Sequence, residues 1–168
     1  MTASPKGVSD RIQETDRIRD QLERAFTGNA WHGPSVLEVL ENVTAAQAAM
    51  RPITGAHTIW ELVLHIRAWE NACRRRLEGD RAELPDQEDW EEINSTDDQA
   101  WESTVKSLKE SHQRLIEAIG KIADTRLDEP ILEGMPSTYI TLHGAVQHDL
   151  YHAGQIAILK KASTGETI

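Results

Sequence analysis

Apolar residues in this 168-residue chain recur at helical spacing in four long segments, and no stretch alternates apolar and polar residues as a half-buried strand would. This restricts the fold to the all-α class. The first segment covers residues 9–27, with Ile12, Ile18, Leu22, Ala25 and Phe26 on or near one stripe, Ser9 as N-cap and Gly28-Asn29 as the stop. A short helix is expected over 35–40, and one further turn over 44–50 before Arg51-Pro52. The second long helix starts at Thr58, where Glu61 three residues on completes a capping box, and ends at Gly79-Asp80. Its apolar face is Ile59, Leu62, Val63, Ile66, Trp69 and Cys73.

The third helix follows residues 95–98 and carries Trp101, Val105, Leu108, Leu115, Ile116 and Ile119, with Gly120 near its end. An irregular connector over 124–136 leads to the fourth, expected over 137–162 with Leu142, Ala145, Val146, Ala153, Ile156 and Leu159 inward. Four such helices predict a four-helix bundle in a single domain spanning 1–168, with its core over about residues 9–162 and a short extra helix between helices one and two. The long first connection leaves room for a crossover.

The net charge of −10 argues against nucleic acid, because phosphate binding needs clustered Lys and Arg. The basic run Arg74-Arg75-Arg76 is placed to complement a helix C-terminus. Residues 86–92 hold five acidic side chains in seven and read as a solvated loop or helix start, since the turn glycine and alternating ligands of a calcium loop are missing. No apolar run is long enough to span a membrane, and the N-terminal residues lack the apolar stretch of a signal peptide. With Cys73 alone no intrachain disulfide can form, so a cytoplasmic location is expected. Cys73, among apolar neighbours, reads as a small buried hydrophobe.

Two of the seven histidines, His148 and His152, are four residues apart, so on a helix they share one face and can chelate one transition metal. His143 points about 140° away from His148 and stays outside any such site. His112 lies among Lys109, Glu110 and Gln113 and is expected at the surface. His32 and His57 fall in loops or at a helix start. His65 sits among apolar neighbours in mid-helix: it is either a core histidine bonded to a carboxylate or a third ligand facing His148 and His152. The chain has neither the paired Glu-x-x-His motifs of a di-iron carboxylate site nor the H-E-x-x-H motif of a zincin. Three imidazoles suit zinc, nickel or iron, and would leave positions open for water or substrate.

Three stretches, residues 31–40, 57–65 and 148–156, together resemble the DinB-like superfamily, also known as the DinB/YfiT-like metalloenzymes. The likeness extends over about residues 10–162. It implies an up-down-down-up order of the four helices. It also implies a divalent metal, zinc or nickel in many members with iron or manganese as alternatives, held by His65, His148 and His152. Homodimers and a low-molecular-weight thiol cosubstrate, such as bacillithiol or mycothiol, are further implications.

On that basis the expected function is that of a metal-dependent thiol S-transferase acting on an unidentified small molecule. A metal-dependent hydrolase and a non-catalytic metal-binding stress-response module are the alternatives. Asp149 and Gln155 are candidates to orient the ligating imidazoles, and Glu61 is a candidate base or, more simply, a capping carboxylate. Tyr151 is a candidate for the pocket wall, and Trp31 and Trp90 for a pocket or a dimer contact. Specificity is expected from the loops around Trp31 and over 84–93. Gly154, within a helix, suggests a close helix approach or room for a ligand.

Overall fold

The structure is a computed structural model and describes residues 12–164. It is all-helical, and the described residues form seven α-helices, four of them long. These are α1 (Glu14–Thr27), α2 (Val36–Leu40), α3 (Ala45–Ala49), α4 (Ile59–Leu77), α5 (Asp86–Asp89), α6 (Asp98–Ile119) and α7 (Thr138–Thr164). None of them is long and apolar enough to cross a membrane.

Local sequence explains most of the helix starts. Ser35, Thr44 and Thr58 each accept the amide three residues on, while Glu38, Gln47 and Glu61 reach back to the cap amide, so three successive helices begin with a capping box. Asp97 caps α6 through the Ala100 amide. Arg74, Arg75 and Arg76 occupy the last turn of α4, as their position by the helix C-terminus requires.

Helix α1 departs from expectation. It starts at Glu14 and its N-cap, Gln13, makes no side-chain cap bond; Ser9 lies outside the described residues. The capping is tertiary instead. The Asp124 carboxylate accepts from the amides of Glu14 and Thr15, at 2.8 and 3.0 Å, and from the Thr15 hydroxyl. These bonds, the Thr15 amide first, hold the Asp124 carboxyl below the usual range. Ile12 lies before the helix and is exposed rather than on the inward stripe.

Helix α4 packs chiefly on α6 and α7, α1 packs on α7 and α6, and α2 covers part of α7. The buried apolar side chains fall into two clusters. One gathers Phe26, Val36, Leu62, Ile66, Trp101, Leu108, Ile156 and their neighbours. The other gathers Ile18, Leu22, Cys73, Leu115, Ile119, Leu142 and Ala145. The buried Trp101 indole donates to the Val43 carbonyl at 2.8 Å, which ties α6 to the segment between α2 and α3. Along α4, α6 and α7 the stretch between the two clusters is polar: His65 and Glu70, Ser111 and His112, and His148, Asp149 and His152. Six of these, all but the half-buried His148, are buried. The interior is thus two apolar bodies separated by a polar belt. Burying such groups opposes folding unless they are paired, so the belt marks where stability has been given up for something else.

Candidate metal centre

His65 projects from the middle of α4, and His148 and His152 from successive turns of α7. The Nε2 atom of His148 lies 3.1 Å from Nε2 of His65 and 3.1 Å from Nε2 of His152. The remaining nitrogens of two of these rings are committed. Nδ1 of His65 faces Asp89, 2.8 Å from the carboxylate and 3.2 Å from the main-chain carbonyl. Nδ1 of His152 is 2.6 Å from Oε1 of Gln155. Both partners are acceptors, so each ring keeps its hydrogen on Nδ1 and turns an Nε2 lone pair toward His148.

One hydrogen on His148 Nε2 can serve only one of those lone pairs well, so the three rings cannot satisfy one another. Nitrogen–metal bonds of about 2.0–2.1 Å place adjacent imidazole nitrogens about 2.9–3.4 Å apart, between right-angled and tetrahedral arrangements. The observed 3.1 Å falls inside that span. The donor set therefore fits a divalent transition metal, and the three residues could hold one ion. Burial pushes the pKa of His148 down to about 3, helped by the neighbouring His152 and His65, and burial also lowers that of His152. Both rings are neutral at pH 7, the form in which imidazole ligates.

The ring of His65 is stacked flat on Trp90, with centroids 4.1 Å apart, and His57 is stacked on the same indole at 3.6 Å. Asp89 also accepts from the Trp69 indole at 2.7 Å. The acidic segment is thus not a purely solvated loop. Its short helix α5 delivers Asp89 and Trp90 onto His65. Sequence reasoning missed Asp89; the dense acidic run suggested a solvated face, and no local periodicity ties residue 89 to residue 65.

The other sequence-derived candidates separate. Gln155 lies against His152, with Oε1 2.6 Å from Nδ1. Asp149 bonds none of the three rings: it is fully buried and both its oxygens lack a hydrogen-bond partner among the described residues. It points instead toward Glu70 and His112, with which it forms a second buried group. Glu61 serves the capping box and pairs with Arg51 at 2.7 Å. Burial raises its pKa, but the Thr58 amide and Arg51 outweigh that and leave it below the ordinary value. Tyr151 touches the edge of His152, with centroids 5.0 Å apart, but is itself exposed and belongs to no core.

His112 corrects a clear expectation of surface exposure. It is buried, stacked on Phe26 and 2.7 Å from Glu70 through Nδ1. Its charged sequence neighbours occupy the other sides of α6, a tertiary fact that a five-residue window hides. His143 stays outside the three-histidine group, as its angular offset requires. Trp31 is fully exposed, and Gly154 faces open space, so no close helix approach accounts for that glycine. Cys73 is buried, and burial pushes its thiol pKa up to about 12.

A cavity of about 310 Å³ opens beside His148. Trp69, Cys73, Ile131, Met135 and Ala145 supply apolar wall, while Glu70 and Asp149 border it as well. The segment over 131–136 therefore shapes the space next to His148, which neither the loop around Trp31 nor residues 84–93, both expected to do so, lines.

The described residues form an all-helical protein whose helices enclose histidine, glutamate and aspartate side chains that could bind a metal. A family model described as the DinB superfamily matches residues 30–156. The chain belongs to the DinB superfamily. No curated protein and no solved structure matches it.

Proposed function

We propose that this protein is a metal-dependent enzyme of the low-molecular-weight-thiol S-transferase type, with His65, His148 and His152 as ligands of zinc or nickel. The observation that carries the reading is the convergence of three Nε2 atoms at 3.1 Å spacing around His148, two of them turned inward by Asp89 and Gln155. A divalent metal held by three imidazoles has positions to spare and lowers the pKa of a thiol bound to it, so thiolate is present at neutral pH.

In this reading the chain's own groups do the rest. Asp89 and Gln155 fix the ring orientations, and the stacked Trp90 shields His65 from water. The cavity beside His148 receives the electrophile, its apolar wall excluding water from the reacting atoms. The thiolate sulfur forms a bond to an electrophilic carbon, the leaving group departs with the bonding pair, and the thiol proton goes to solvent. We further read the four long helices as one four-helix bundle in up-down-down-up order, forming a single domain over 1–168 that acts in the cytoplasm as a homodimer, without nucleic-acid or membrane partners.

Hydrolysis is the second reading. It needs a base beside a bound water. Glu61 is committed to the Thr58 amide and Arg51, which leaves Asp149, a residue that borders the same cavity as His148. A stress-response module in which the metal only stabilises the helices is the third.

The test starts with elemental analysis of protein never exposed to a nickel column, beside a His148→Ala variant. Near one equivalent of zinc or nickel on the histidines, lost in the variant, supports the site. Turnover of an electrophile only with bacillithiol-like or mycothiol-like donors then supports transfer, and turnover without thiol supports hydrolysis. Parent and variant that take up the same amount of metal, or none in supplemented medium, overturn the three-histidine reading.

A further inference from the structure

The polar belt holds a second group that the three histidines do not use. Glu70 on α4, His112 on α6 and Asp149 on α7 are all buried, and one potential ligand atom from each lies within 4.8 Å of the others. Nδ1 of His112 is 2.7 Å from Oε1 of Glu70. The Phe26 ring stacks on the imidazole at 3.7 Å between centroids and fixes its plane. The 2.7 Å contact sets an imidazole nitrogen and a carboxylate oxygen side by side, as neighbouring ligand atoms of one ion stand, and leaves the ring's Nε2 free.

That Nε2 has no partner, and neither do Oε2 of Glu70 or the two oxygens of Asp149. Four acceptor atoms on three helices are thus left without a donor among the described residues. Neither carboxylate has a lysine or arginine against it: Glu70 pairs only with His112, and Asp149 forms no ion pair among the described residues. Arg76, on the wall of the cavity, turns its Nε and Nη2 to the carbonyls of Arg81 and Ala82 and makes no ion pair with either carboxylate among the described residues. Two buried carboxylates and an imidazole lone pair without a counter-charge call for a cation or for protons. Access favours the cation. Glu70 and Asp149 border the open cavity of about 310 Å³, which gives an ion a route in, whereas a purely structural proton-sharing pair needs none.

We propose that Glu70, His112 and Asp149 form a second divalent-cation site, distinct from the three-histidine group. Its two carboxylates and single imidazole suit a harder ion, manganese or ferrous iron, better than the all-imidazole group does. The two groups share neighbouring residues of α7, His148 and Asp149, so both border the same cavity. The second site stands or falls independently of the first.

The experiment titrates chelator-stripped full-length protein with Mn2+ and counts bound ion from the loss of the free-ion EPR signal. It uses the parent, His148→Ala, and His148→Ala carrying Glu70→Gln or His112→Gln. Far-UV circular dichroism of each variant confirms that it is folded. The expected result is one saturable equivalent of Mn2+ in His148→Ala, weakened about tenfold or more by either added substitution. No saturable uptake up to millimolar Mn2+ in parent and His148→Ala, or uptake that both added substitutions leave unchanged, overturns the proposal and leaves a proton-sharing carboxylate pair. A parent whose zinc is lost with His148→Ala but which takes no manganese sinks the second site alone. A chain that binds manganese through Glu70 but no metal through His148 sinks the first alone.

Discussion

Asp89 meets Nδ1 of His65 twice, through its carboxylate at 2.8 Å and through its own main-chain carbonyl at 3.2 Å. The two contacts differ in what a substitution can remove. Asp89→Ala takes away the carboxylate, and with it the acceptor of the Trp69 indole, but leaves the carbonyl to hold the ring's tautomer. Groups that orient a ligating imidazole contribute about 10–100-fold to metal affinity. With the carbonyl retained, Asp89→Ala is expected at the lower end, about tenfold weaker zinc binding in competition with a chromophoric chelator. Unchanged affinity would show that the carbonyl alone orients His65.

The tertiary cap on α1 makes a prediction with a defined pH dependence. The Asp124 carboxyl is held below its ordinary value of 3.8, first by the Thr15 amide and next by the Glu14 amide. A carboxyl whose folded-state pKa is depressed contributes stability that is present above the unfolded value and is lost as pH falls through the folded one. Asp124→Ala is therefore expected to lower the urea midpoint at pH 7. The gap from the parent should narrow below pH 3.8 as the parent's own carboxyl is protonated. A gap that stays constant down to acid pH would assign the loss to packing rather than to the charged cap.

What the sequence made legible and what it hid divide along the same line as these two contacts. Helix starts at Thr58 and near Asp98 were readable because caps and apolar spacing act within a few residues. The shared face of His148 and His152 was readable for the same reason, since helical spacing alone sets it. Asp89 on His65, Asp124 on Glu14 and Glu70 on His112 join residues 24, 110 and 42 positions apart, and nothing in a local window reports such pairings. His112 shows the cost most clearly. Its neighbours Lys109, Glu110 and Gln113 are polar, yet Ser111, His112, Leu115 and Ile116 line the buried side of α6. Polar residues at inward positions break the apolar periodicity at the belt, which is where the candidate sites lie.

The two apolar clusters predict where stability resides. Leu142 is fully buried in the cluster that also contains Leu22 and Leu115, so Leu142→Ala should lower unfolding free energy by about 2–5 kcal/mol. Tyr151 is on the same helix but exposed, and Tyr151→Ala should change it by no more than about 0.5 kcal/mol. Urea unfolding of the two variants side by side provides the measurement. A Tyr151→Ala loss comparable to that of Leu142→Ala would mean that Tyr151 is covered in solution, as by a second copy of the chain.

Those clusters also decide what chelation should do. Each lies to one side of the polar belt and is built without any of the three histidines. Folding therefore does not depend on metal in the way it does for a small zinc domain, where the ligands replace a core. Metal-stripped protein is expected to keep its far-UV helical signal and a cooperative melt, with a midpoint lowered by the binding linkage and restored by added zinc. Metal-stripped His148→Ala should gain less from added zinc than the metal-stripped parent does. Collapse of the helical signal on chelation of the parent would instead make the metal a structural brace, and would move the balance from the transferase reading to the module in which metal binding serves stability alone.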